Sequence, residues 1–245
     1  MKELNEDLAR NVLATVDAGL VKGLGAPEPG SMCVEAAVCY AMGLPHSDKP
    51  TCVGSEVRRF KIKINDARWS SDKARTAGLR RLAVAQLGSD SIDQQKFVRI
   101  VVEQTIRQIV PRALRLAKKR NPAHEEKLEA AAIRCEQDGD RGAALSARNA
   151  AYAAADAADA AAADAAAAAA DAAADAADAA YAAAYAAADA AAYAYAAADA
   201  AYAADAADAA ADEVLNLACG IALNALIELQ SPGCAYLYLC DVAEA

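Results

Sequence analysis

Between Arg58 and Arg81 the chain sets Arg58, Arg59, Lys61, Lys63, Arg68, Lys73, Arg75, Arg80 and Arg81 around Phe60 and Trp69. Guanidinium forks grip phosphate oxygens in pairs and stack on flat rings, so this segment suits a nucleotide or a nucleic-acid backbone. The expected ligand-binding residues are Arg58, Arg59, Lys61, Lys63, Arg68, Trp69, Arg75, Arg80 and Arg81. No helix-turn-helix, zinc-finger or RNA-binding aromatic motif accompanies them. The competing reading is a solvated basic face that balances an acidic tail.

Cys33, Cys39, His46 and Cys52 are zinc-ligand types. Their spacing argues against a site, because six residues along a helix rotate about 240°, turning Cys33 and Cys39 apart, and no CxxC pair exists. Buried small cysteines are the better reading, and no metal or cofactor is expected. Glu35 and Cys39 share a helix face with His46 following in a loop, which permits a nucleophile arrangement. The chain has no phosphate-cradling glycine loop, no GxSxG and no HExxH, and His124 stands alone on a charged helix. The expectation is therefore non-enzymatic.

These residues must be held by helices. Leu4, Leu8, Val12, Val16 and Leu20 recur at four-residue steps, with Gly23 and Gly25 as stops. Ser31 can cap a second helix running to Met42, and Ser55 a third. FKIKI alternates like a strand, but Val57, Phe60, Ile64 and Ala67 also make a helical stripe, and the helical neighbours favour helix. Ser71 and Asp72 offer caps for a helix to Leu87 before Gly88, and another helix starts near Ser91, to be kinked or restarted by Pro111. Asn121 and Pro122 open one that runs to Gln137 and stops at Gly139.

From Ala151 to Asp212 the chain uses only 45 Ala, 11 Asp and 6 Tyr, a composition that predicts helix. Unbroken, such a helix would span roughly 93 Å. On a helical wheel the Asp and Tyr residues from Tyr152 to Asp199 fall on one half and alanine alone on the other, with Tyr202, Asp205, Asp208 and Asp212 drifting across. The alanine half reads as a close-packing face and the Asp/Tyr half as a solvated one. Val214, Leu215, Ala218, Ile221, Ala222, Ala225, Leu226 and Leu229 then make an amphipathic stripe, followed by a short apolar tail at Tyr236 to Leu239.

Residues 1–150 carry all 25 Lys and Arg against 19 acids, whereas residues 151–245 carry 15 acids and no base. The expected fold is all-α: a compact multi-helix basic domain over 1–140, an Ala/Asp/Tyr-rich helical segment (one helix or several) over 141–212, and an amphipathic helix with its tail over 213–245. Seven scattered cysteines and no export-like N-terminus predict reduced thiols and a cytoplasmic protein. Recurrent Asp residues exclude the alanine tract from a membrane.

MCVEAAVCYAMGLPH (32–46), NDARWSS (65–71) and GLRRLAVAQLG (78–88), with the degenerate Ala/Asp/Tyr tail, resemble a group of uncharacterised bacterial and bacteriophage proteins. The resemblance covers about residues 23–110 and the style of the tail. It implies no activity and favours a phage or mobile-element accessory protein. The functional expectation is a binding protein that holds a phosphate-bearing ligand, nucleic acid or protein partner on its basic domain. The alternative is a structural or interaction protein acting through its Ala-rich helix, by oligomerisation or by mimicking nucleic-acid charge.

Overall fold

The computed structural model describes residues 4–160 and 208–241, and these are all-α, with no strand among them. Most of the alanine tract, and with it the expectation of one long striped helix, lies outside the described residues. The helices are α1 (Glu6–Asp17), α2 (Val34–Met42), α3 (Ser55–Asp66), α4 (Asp72–Ala85), α5 (Gln94–Gln108), α6 (Val110–Arg120), α7 (Glu125–Asp138), α8 (Arg141–Ala160) and α9 (Asp208–Glu228). A 3₁₀ segment, Pro232–Cys240, follows α9.

Contacts divide the chain into two compact units, the first holding residues up to Phe97 together with those from Cys219 onward, the second Val98 to Ala218. The composition boundaries at 140 and 212 follow chain chemistry, while these contacts divide the chain after Phe97 and after Ala218.

In the first unit, α1 begins at Asn5, whose side chain accepts from the Leu8 amide at 2.9 Å, and buries Leu8, Val12 and Val16. It stops at Gly19 (φ +123°), earlier than the expected Gly23 and Gly25, because the chain turns there to bring Leu20 beside Met32 in an isolated bridge. The cap of α2 is Cys33 and not Ser31: its Sγ accepts from the Ala36 amide at 3.4 Å. Gly54, not Ser55, precedes α3, and FKIKI is helical as its stripe predicts. Ser71 caps α4 through the Ala74 amide at 3.1 Å, and Gly88 (φ +78°) turns the chain after it. The 3₁₀ segment packs on α4, tied by Ser231 Oγ donating to the Ala85 carbonyl at 2.7 Å and the Gly233 amide to the Leu87 carbonyl at 2.7 Å.

The second unit is built on α6, α7 and α8. Pro111 sits in the first turn of α6, where its missing N–H costs nothing, so it restarts the helix after α5. Asn121 ends α6, donating to the Ala117 carbonyl at 2.9 Å, and a 3₁₀ turn at Pro122–His124 precedes α7. Along α8 the alanine face is buried: Ala143, Ala144, Ala147, Ala151 and Ala154 are wholly covered, while Asn149 is exposed. Methyl groups let neighbouring backbones approach closely, and this stripe uses that.

Candidate functional site

The basic segment spans α3, the loop after it and α4, and helix periodicity divides it. On α3 the inward positions are Val57, Phe60, Lys61, Ile64 and Asn65. Phe60 meets Phe97 edge to face, with ring centroids 6.4 Å apart. Lys61 lies one turn after Val57, so its ammonium is carried inside. It is fully buried with Nζ 3.2 Å from Oε1 of Glu35, itself fully buried on α2. Neither Glu35 oxygen nor the Lys61 nitrogen makes a well-aligned hydrogen bond within the chain. Burial pushes the Glu35 carboxyl above its usual range, a shift opposed by the charges of Lys61 and Arg58. The same burial holds the Lys61 ammonium below its usual range, opposed by Glu35.

Four more members of the expected ligand set face inward or bind carboxylates. Trp69 is buried and donates Nε1–H to the Ile64 carbonyl at 2.9 Å, closing the C-terminus of α3. Arg75, also buried, donates Nε–H to the Asn65 carbonyl at 2.8 Å and pairs with Asp72. Arg80 grips both Asp17 oxygens, at 2.6 and 2.8 Å, and donates to the Cys240 carbonyl at 2.7 Å, binding α4 to α1 and the C-terminal segment. Arg81 pairs with Asp241.

The others face outward. Arg59 and Arg68 are exposed, and Arg58 and Lys63 half-exposed. Arg59 lies 3.5 Å from Glu56 on its own helix. The nine residues thus form two groups: Lys61, Trp69, Arg75, Arg80 and Arg81 serve internal contacts, and Arg58, Arg59, Lys63 and Arg68 lie along the outer side of α3 and the loop behind it.

Asn65 was not singled out in the sequence, yet it joins three pieces of chain. Its Oδ1 accepts from the Val34 amide at 3.3 Å, and its Nδ2 donates to the Val21 carbonyl and to Asp66 Oδ1, both at 3.0 Å. Asp66 Oδ1 also accepts from the Gly23 amide at 2.8 Å. Glu35 carried a signal of its own, as the one charged residue in the apolar helix VEAAVCYAM.

Among the described residues no three potential ligands converge on a metal position. Cys33 is spent on its cap, and Cys52 lies 3.5 Å from the Met42 sulfur. All seven cysteines are free thiols. The Glu35, Cys39, His46 trio is dispersed in its uses: Glu35 faces Lys61, burial pushes the Cys39 thiol up to about 11, and His46 Nε2 lies 3.1 Å from the Gly25 carbonyl. No helix among the described residues is long and apolar enough to cross a membrane.

No known protein family, curated protein or solved structure matches this chain.

Proposed function

We propose that the chain is a non-enzymatic binding protein that meets a phosphate-bearing partner along the outer side of α3. The observation that carries this reading is the solvent exposure of Arg59 and Arg68 and the half-exposure of Arg58 and Lys63 along α3 and the loop after it. Arg59 and Lys63 are one helical turn apart on one side of α3, and Arg68 is exposed on the loop that follows, so this side of the helix is basic towards solvent. Such a surface neutralises phosphates without reading bases, and its affinity falls as salt rises because counterions are no longer released into a dilute solution. The test is fluorescence-anisotropy titration of a single-stranded oligonucleotide at several salt concentrations. Engagement of three to four phosphates gives a log–log slope of about −2 to −3. A flat salt dependence, or no binding at low salt, removes the reading.

A second reading, a structural or interaction protein acting through the Ala-rich helix, rests on the Ala/Asp/Tyr composition of the tract, since Ala143, Ala147, Ala151 and Ala154 are already covered within the chain, where α8 packs on α7 and α6. That stripe makes α8 a packing element, and an accessory role in a phage or mobile-element assembly suits either surface.

A further inference from the structure

Three sulfur-bearing side chains gather at the C-terminal end of α2. Along that helix Glu35, Cys39 and Met42 fall at i, i+4 and i+7, one continuous stripe, and all three are buried. The Glu35 end of the stripe faces Lys61, and the other end carries only sulfur. The loop after α2 returns Cys52 to that end, with its Sγ 3.5 Å from Met42 Sδ. Both Cys39 and Cys52 are free thiols.

The spacing of the two sulfurs selects a coordination geometry. Two bonds of about 2.3 Å from one ion to sulfurs 3.5 Å apart meet at about 100°, whereas linear coordination needs the sulfurs about 4.6 Å apart. Cys52 and Met42 therefore suit two corners of a three- or four-cornered shell. Cys39, one turn before Met42 on the same face, supplies the next corner.

The ligand types select the ion. Zinc takes thiolate, imidazole and carboxylate, and a neutral thioether is not among its usual ligands. Thiolate and thioether together favour Cu(I), a soft monovalent ion. Among the described residues no three His, Cys, Asp or Glu side chains converge on a metal position, so Met42 is the ligand that completes a shell here. Cys52 is half-buried and opens the place to solvent, while Cys39 and Met42 form its covered floor.

From this geometry we infer that Cys39, Met42 and Cys52 bind one Cu(I) ion. The ion keeps its oxidation state. Each of the two thiols gives its proton to solvent as its sulfur ligates, and the thioether binds unchanged.

The probe is Cu(I) held as its bicinchoninate complex and offered without oxygen to the reduced full chain. The chain should withdraw one ion ahead of any bound by its other cysteines. Met42→Leu, close to the original volume, and Cys52→Ser should each weaken that affinity by about tenfold or more, since even changes outside the ligand shell cost that much. Cys234→Ser, which alters a thiol that is also half-buried, should leave it unchanged. The chain has three methionines, so methyl-carbon-labelled methionine gives a sparse spectrum. One equivalent of Cu(I) should move the Met42 methyl signal, identified by its loss in Met42→Leu, and leave that of Met32 in place. This shift is read on the unaltered chain and decides the matter even where a variant is unstable. A Met42 signal that stays put, an affinity unchanged in Met42→Leu or Cys52→Ser, or an equal loss in Cys234→Ser would each overturn the inference. Oligonucleotide binding at α3 bears on neither outcome.

Discussion

Lys61→Met leaves the Glu35 carboxylate buried without its counter-charge, and breaking a buried pair in this way costs about 3–5 kcal/mol. The cost depends on pH with a defined sign. Burial holds the folded-state pKa of Glu35 above its ordinary 4.5, and removing Lys61 removes a charge that opposes that rise. From 4.5 up to the raised value the folded variant therefore binds a proton that the unfolded chain has released. Its stability falls as pH rises through that window, by about 1.4 kcal/mol per pH unit, and recovers on acidification. Glu35→Gln does the reverse. The Lys61 ammonium is held below its ordinary 10.5, so the folded chain releases a proton that the unfolded chain keeps, and stability falls as pH drops from 10.5 towards the lowered value. Glu35→Leu combined with Lys61→Met abolishes both slopes and is neutral or stabilising by about 1–4 kcal/mol. Trp69, the only tryptophan, is buried in the same unit, so urea unfolding followed by its fluorescence reads this region alone. A Lys61→Met cost below about 1 kcal/mol at neutral pH, or slopes of the same sign in the two single variants, would refute the reasoning.

Ala147→Leu or Ala151→Leu forces side-chain volume into a fully covered stripe and should lower stability by about 1–3 kcal/mol in thermal melts, whereas Asn149→Ala on the exposed side should stay within about 0.5 kcal/mol. Gly233→Ala should cost about 1–3 kcal/mol by the same measurement, because its Cβ would overlap the Val84 carbonyl oxygen and lift the 3₁₀ segment from α4. Timed alkylation read by mass spectrometry should modify the half-buried Cys52, Cys234 and Cys240 first. Burial pushes the Cys234 thiol from 9.0 up to about 11, which leaves about a hundredth of the ordinary thiolate fraction, and pushes the buried Cys135 and Cys219 up to about 12, so these two should react last.

Much of the helical frame is legible from local chemistry. Gly88 and Gly139 both take positive φ at helix ends, Ser71 caps α4, and Pro111 restarts a helix, each for reasons confined to a few residues. The misreadings arose where tertiary contacts decide. Gly19 ends α1 because Leu20 pairs with Met32, and Cys33 caps α2 in place of the better hydroxyl of Ser31. The basic segment shows the same division. Composition finds the cluster, and the Val57, Phe60, Ile64 stripe already places Lys61 on the inner side of α3. No local pattern tells that Arg80 reaches Asp17 and Cys240, which lie 63 and 160 residues away.

The basic segment divides into an inner set that holds internal contacts and an outer set proposed to meet a phosphate-bearing partner. Two triple variants, Arg75→Ala/Arg80→Ala/Arg81→Ala and Arg59→Ala/Lys63→Ala/Arg68→Ala, should be carried through one salt-dependent oligonucleotide titration, with melting midpoints recorded on the same samples. The account predicts a crossover. The inner triple lowers the midpoint and leaves the binding slope of the folded protein unchanged, while the outer triple keeps the midpoint and makes the log–log slope shallower by about 2, three single-strand phosphate contacts at about 0.7 each. Equal loss of binding in both, or binding that survives the outer triple intact, would contradict it.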